Sequence, residues 1–202
     1  MKKVFFALFF VSSIMTAQDM EVVKGDFGFL KDQKEVNVEF DYSKMTLLKE
    51  KLTENQYVTN RTKELNEKSK TTGDIWKKKW DSSKELIWNS KFLELMNIIY
   101  VKENKDVSFL EGSTTAKYTL IVEVIWLYPG WDAGIMKQPA KVTTQLKFVE
   151  TSNKSNVLLE ISSENAPGDQ WGNNFSNESR IGEGFAKTAK SLAKMILKKA
   201  YK

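Results

Sequence analysis

The sequence predicts an α+β fold: an antiparallel β-meander sheet with helices packed mainly on one face, giving a two-layer sandwich. Three observations carry this reading. The second half holds three strand-like runs in succession, Lys117 to Tyr128, Ala140 to Glu150, and Val157-Leu159-Ile161. The middle of the chain shows helical spacing of apolar residues. The C-terminal stretch from about Glu178 to Lys199 is a helix with an apolar stripe and a lysine face.

From the N-terminus, Lys2 and Lys3 precede an apolar run from Val4 to Ile14, followed by Thr16 and Ala17. A basic start, a short apolar core and a small residue before Gln18 predict a secretory signal peptide over residues 1–17. Residues 18–202 then form a single domain. Losing Lys2 and Lys3 with the leader lowers the net charge from +5 by two. About 185 residues suffice for one hydrophobic core. No later run reaches the ~20 apolar residues of a spanning helix.

Glu35 to Tyr42 alternates, with Val36, Val38, Phe40 and Tyr42 on one side and Asn37, Glu39 and Asp41 on the other. This is a strand with one solvated face. Thr53 to Ser69 reads as a polar helix with Tyr57, Arg61 and Leu65 in register. Thr71-Thr72-Gly73 interrupts it, and Asp74 is placed to cap a second helix carrying Trp76 and Trp80 at i, i+4. The pattern wavers from Ser82 to Asn89, which predicts a bend. Phe92, Leu95, Met96 and Ile99 then mark a helix ending near Lys102.

In the run Lys117 to Tyr128, Tyr118, Leu120, Val122, Val124 and Trp126 are apolar, and so are Ile121, Ile125 and Leu127. A strand apolar on both parities is expected to be central and covered on both faces, by the middle helices or by a partner chain. Ala140 to Glu150 sets Val142, Thr144, Leu146 and Phe148 against Lys141, Thr143, Gln145 and Lys147. In the last helix Phe185, Ala189, Leu192, Ile196 and Ala200 form the buried stripe, and Lys187, Lys190, Lys194 and Lys198 the wet face. Gly182 and Gly184, each costly in a helix by about 1 kcal/mol, imply close approach of its first turns to the sheet or to a loop crossing it.

Four stretches carry a resemblance: Gly25 to Leu30 (GDFGFL), Val36 to Ser43, Tyr118 to Ile135, and Arg180 to Ile196. They resemble a group of secreted proteins, uncharacterised as to activity, from Bacteroidetes-type bacteria. More distantly, strands followed by a helix bearing Gly182, Gly184, Ala186, Ala189 and Ala193 are similar to envelope domains of the curli-secretion-lipoprotein kind. The resemblance implies an envelope or extracellular location and an α/β sandwich. It transfers no catalytic residue.

The chain has no histidine and no cysteine. That excludes Ser-His-Asp and Cys-His nucleophiles, zinc on imidazole or thiolate, and disulfides. It also excludes a lipobox anchor, so the expected product is an exported periplasmic or extracellular protein that carries no lipid. No phosphate loop, dinucleotide fingerprint or calcium loop is present, and no cofactor, metal site or catalytic residue is assigned. Ser191-Leu192-Ala193-Lys194 matches a Ser-x-x-Lys pattern without its companion motifs. Lys77, Lys78 and Lys79 between Trp76 and Trp80 read as a solvated helix face, and nucleic acid is not an expected partner.

Candidate binding residues come from topology. In an up-down-up meander the loop after the first strand, Tyr128 to Pro139, and that after the third, Glu164 to Phe175, share one end of the sheet. They carry Trp131, Asp132 and Met136 in the first, and Asp169, Trp171 and Phe175 in the second. Flat indoles beside carboxylates and amides suit a glycan, a peptide or an envelope protein. The competing reading folds Trp131, Trp171 and Phe175 inward to seal the core. The expected function is therefore a secreted or envelope-associated binding protein. The alternative is a carboxylate-based, glycosidase-like hydrolase drawing on Asp132, Asp169, Glu160 and Glu164 at the same end. A third reading is a homo-oligomer whose second sheet face is covered by its own copy.

Overall fold

The computed structural model describes residues 18–134, 136–168 and 176–201. The predicted signal peptide lies outside the described residues, as do Asp169, Trp171 and Phe175. Along the chain run β1 (Asp19–Gly25), β2 (Glu35–Asp41), β3 (Thr46–Leu47), β4 (Leu52–Thr53), α1 (Glu54–Lys68), α2 (Thr72–Ser83), a π-helical turn (Lys84–Asn89) and α3 (Ser90–Lys102). They are followed by β5 (Ser108–Glu111), β6 (Tyr118–Tyr128), β7 (Trp131–Asp132), β8 (Lys137–Gln138), β9 (Ala140–Glu150), β10 (Asn153–Gly168) and α4 (Asn177–Ala200).

The fold is α+β, and its main sheet is mixed. Its order is β1-β10-β9-β6-β2-β5. β6, β9 and β10 pair antiparallel in sequence order, and β1 adds antiparallel to β10. The departure from an all-antiparallel sheet lies on the other side of β6, where β2 runs parallel to both β6 and β5. The helices from α1 to α3 form the crossover between β2 and β5, which a parallel pair requires. The return from β5 to β6 is short because Val38 pairs with Glu111 while its neighbour Asn37 pairs with Thr119. Buried Asn37 holds that crossing in place, accepting from the Ser113 N–H at 3.0 Å and donating to Thr119 Oγ1 at 3.2 Å.

The apolar run of β6 owes part of its doubled parity to a bulge. A β-bulge between Val124 and Trp126 shifts the register on β9. The bulge turns the strand over, so Leu120, Val122 and Val124 precede it in the core and Leu127 follows it there. Leu127 thus serves the same core as the even residues, whereas Ile121 and Ile125 are half-buried outside it. The opposite face is polar where β2, β6, β9 and β10 meet. There Glu123 bridges Lys44 and Lys147 at 2.5 and 2.9 Å, and Gln145 donates to Glu160 at 3.0 Å.

α1 begins with a full capping box: Thr53 Oγ1 accepts from the Gln56 N–H, and Gln56 Oε1 accepts from the Thr53 N–H at 2.9 Å. The cap of α2 is not Asp74, as the sequence led us to expect. Thr71 is left-handed at φ 70°, and Asn66 of α1 accepts from the Gly73 N–H at 2.8 Å. At Ser82 to Asn89 the helix continues through the π-helical turn. Its widened spacing accounts for the wavering pattern, since one extra residue rotates the apolar stripe. Trp88 then lands in the core, its Nε1 donating to Glu178 O at 2.9 Å. Trp76, Trp80, Trp88 and Phe185 form a continuous aromatic row with successive centroids 5.5, 5.2 and 5.9 Å apart.

Of the two α4 glycines, Gly184 makes the expected approach to the sheet and Gly182 does not. A Cβ at Gly184 would lie 2.4 Å from Val142 Cγ2, and one at Gly182 would lie 2.8 Å from Ile87 Cγ2. Gly182 therefore approaches the π-helical turn, and Gly184 the sheet.

Candidate functional site

At the end of the sheet where β6 stops, the chain makes a small second sheet. β7 and β8 pair antiparallel, Trp131 opposite Gln138 and Asp132 opposite Lys137. Gly130 turns the chain into this hairpin at φ +65°, and a Cβ there would meet Gln138 O at 2.4 Å. Asp132 Oδ1 accepts from the Gly134 N–H at 2.8 Å, and Met136 O accepts from the Ala133 N–H at 2.9 Å, closing the tip. Gln138 Oε1 accepts from both Tyr128 OH at 2.9 Å and Trp131 Nε1 at 3.1 Å. The indole of Trp131 is thus held by its nitrogen while 41% of the residue stays in water, and Met136 is 66% exposed.

The hairpin is tied to α4 by Arg180, a residue that the sequence reading passed over. Its Nε donates to Pro129 O at 3.1 Å, and its Nη2 donates to Gly130 O at 3.3 Å and to Asn177 Oδ1. Burial lowers the guanidinium pKa, and the negative charge of Asp132 opposes that shift. The sheet end is close by as well, since a Cβ at Gly168 would fall 1.8 Å from Arg180 O.

α1 completes the surroundings. Tyr57, Arg61 and Glu64 join Tyr128 to Asp132, Asn177, Arg180 and Leu48 in lining a hollow of about 370 Å³. Arg61 and Arg180 are the only arginines in the chain, which otherwise draws its cations from lysine. That usage is the signal that could have found them, because a planar five-donor group serves where a point charge does not. Arg61 pairs with Glu64 at 2.7 Å, while its Nε is buried and makes no hydrogen bond among the described residues. Hydrogen bonds from Lys68 and Arg61 hold the Glu64 carboxyl below its ordinary range. Burial pushes the Tyr57 hydroxyl up to about 12.

Of the predicted site residues, Trp131 and Asp132 line the hollow, and Met136 stands at the hairpin tip. The other two carboxylates considered are elsewhere. Glu160 lies on the polar sheet face beside Gln145, and Glu164 is exposed on β10 opposite Asp19 of the edge strand β1. Among the described residues no group of three or more acidic side chains is arranged to hold a metal ion. No helix of the described residues is long and apolar enough to cross a membrane.

No family model and no curated protein matches the chain. Among solved structures it is similar to the PelC dodecamer from Paraburkholderia phytofirmans at a TM-score of 0.40 and 10% identity, over 87% of this chain and 96% of that one. A single-substitution variant of the same dodecamer gives a TM-score of 0.40 at 11% identity, with the same coverage.

Proposed function

We propose that this is an exported, envelope-associated binding protein whose ligand sits at the β7–β8 hairpin. The observation that carries the reading is Trp131, whose indole is fixed through Gln138 yet 41% exposed beside a hollow of about 370 Å³. Leaving so large an apolar ring in water, with its nitrogen satisfied, costs folding energy that a ligand stacked on its face would recover. The neighbours are polar but balanced in charge. Arg61 faces Glu64, and Arg180 lies near Asp132. Such a surface fits an uncharged ligand with one flat apolar face and many hydroxyls, and a glycan meets that description better than a peptide. The signal peptide read from residues 1–17 supports export.

Of the carboxylates lining the hollow, Glu64 is not suited to act as a general acid. A general acid needs a raised pKa, whereas Glu64 is held ionised by Lys68 and Arg61. The test is a glycan and peptide array probed with wild type and with Trp131→Ala. Retention of defined glycans by wild type, lost in the variant while its circular dichroism is unchanged, is the expected result. Identical profiles would show that Trp131 carries no ligand.

A further inference from the structure

On the side of the molecule where α3 and α4 lie together, the wet face of α4 becomes one wall of a groove. Ile99 and Lys102 of α3, Glu103 just beyond it, and Lys190, Lys194, Leu197 and Lys198 of α4 enclose a hollow of about 470 Å³. It meets at Lys190 a second hollow of about 380 Å³, lined by Leu95, Ala186 and Lys187 among others. The two helices run in the same direction, since Lys91 pairs with Glu183 at one end while Ile99 and Leu197 share the hollow at the other. The groove floor is apolar, made by Leu95, Ile99, Ala186 and Leu197.

Its rim is mainly basic, with Glu103 beside the first hollow and Glu183, paired with Lys91, beside the second. Lys187, Lys190, Lys194 and Lys198 recur at three- and four-residue steps, a row about 16 Å long on one helix face. Across from them stands Lys102. None of these five pairs with an acidic side chain among the described residues, whereas Lys34, Lys44, Lys68, Lys77, Lys84, Lys91, Lys147 and Lys154 all do. A row of like charges at i, i+3 and i, i+4 destabilises a helix. A solvated face needs no such row, and no apolar floor beneath it.

We propose that this groove docks an acidic amphipathic helix of a partner protein. The occupant follows from charge and shape. Carboxylates spaced along a helix meet the lysine row at matching steps, and its apolar stripe seats on Leu95, Ile99 and Leu197. A flat anionic bilayer would meet the lysine tips and leave the floor unused. A polyanionic chain without apolar groups would do the same.

The probe is a fluorescein-labelled 18-residue helix of Glu, Leu and Ala in amphipathic order, with a scrambled peptide of equal composition, followed by anisotropy. Wild type should bind the ordered peptide saturably and at least tenfold more tightly than the scrambled one. Lys190→Glu/Lys194→Glu should lose at least tenfold, with binding restored to a peptide whose facing Glu residues are Lys. These side chains are exposed, and unchanged circular dichroism of the variant separates lost docking from lost folding. Ile99→Gln should weaken the ordered peptide and leave the scrambled one unaffected. Equal affinity for both peptides would reduce the groove to a diffuse polycation. Retention on phosphatidylglycerol vesicles without peptide binding would assign it to a membrane. Either result overturns the proposal.

Discussion

Arg180 donates to the carbonyls of Pro129 and Gly130 from within α4, so the hairpin bearing Trp131 is held by a side chain 5% exposed. Arg180→Met should leave those acceptors unsatisfied and lower stability by about 2–4 kcal/mol in urea unfolding. Arg180→Lys should recover only part, because an ammonium cannot reproduce the planar fork. Glu123 makes a second residue-scale prediction. Burial pushes its carboxyl up, but hydrogen bonds from Lys44 and Lys147 outweigh burial and hold it below its ordinary 4.5. A lowered folded value adds stability that is present above 4.5 and is lost as pH falls through the folded value. Glu123→Gln should therefore flatten the acid limb of a stability–pH curve, measured as urea midpoints from about pH 5 downward.

At the scale of elements, α4 seats on the sheet only because Gly184 has no side chain. Gly184→Ala gains about 1 kcal/mol of helix propensity. It also drives a methyl to within 2.4 Å of Val142 Cγ2. Overpacking of that kind costs about 1–3 kcal/mol, so the variant should melt lower than wild type. Combined with Val142→Ala, it should lose less than the two single losses added together. This approach was legible in the sequence, as were α1, α3, β2, β6, β9 and α4, since each has a strong period or clear cap. The parallel seat of β2 between β6 and β5 was not, because strand pairing over long separations leaves no mark on local periodicity. The bulge in β6 hid in plain view, as a doubled apolar parity that also describes a strand covered on both faces. β1 escaped notice because it is an edge strand, with Val22 and Val23 exposed and little alternation.

Across the whole molecule, the aromatic core sets the response to alkali. Burial raises the hydroxyl pKa values of Tyr42, Tyr57 and Tyr100 above their ordinary 10.0. A raised folded value gives stability that is complete below 10.0 and is lost as pH rises, for Tyr57 through about 12. Unfolding should therefore set in above pH 10, and Tyr57→Phe should reduce its steepness in a tyrosinate absorbance titration. The candidate site is also a whole-molecule product. Trp131, Asp132 and Met136 could be placed at one sheet end from strand order alone. Tyr57, Arg61 and Glu64 reach that end from a helix more than sixty residues earlier, a placement that the crossover decides. Trp80 and Trp88, fully buried, provide internal controls for the indole that meets water. The most direct test is fluorine NMR of protein labelled with 5-fluorotryptophan, with Trp131 assigned by Trp131→Phe, during titration with array-selected glycans. The Trp131 resonance should shift on binding while those of Trp80 and Trp88 stay fixed; binding that leaves Trp131 unmoved would contradict the account.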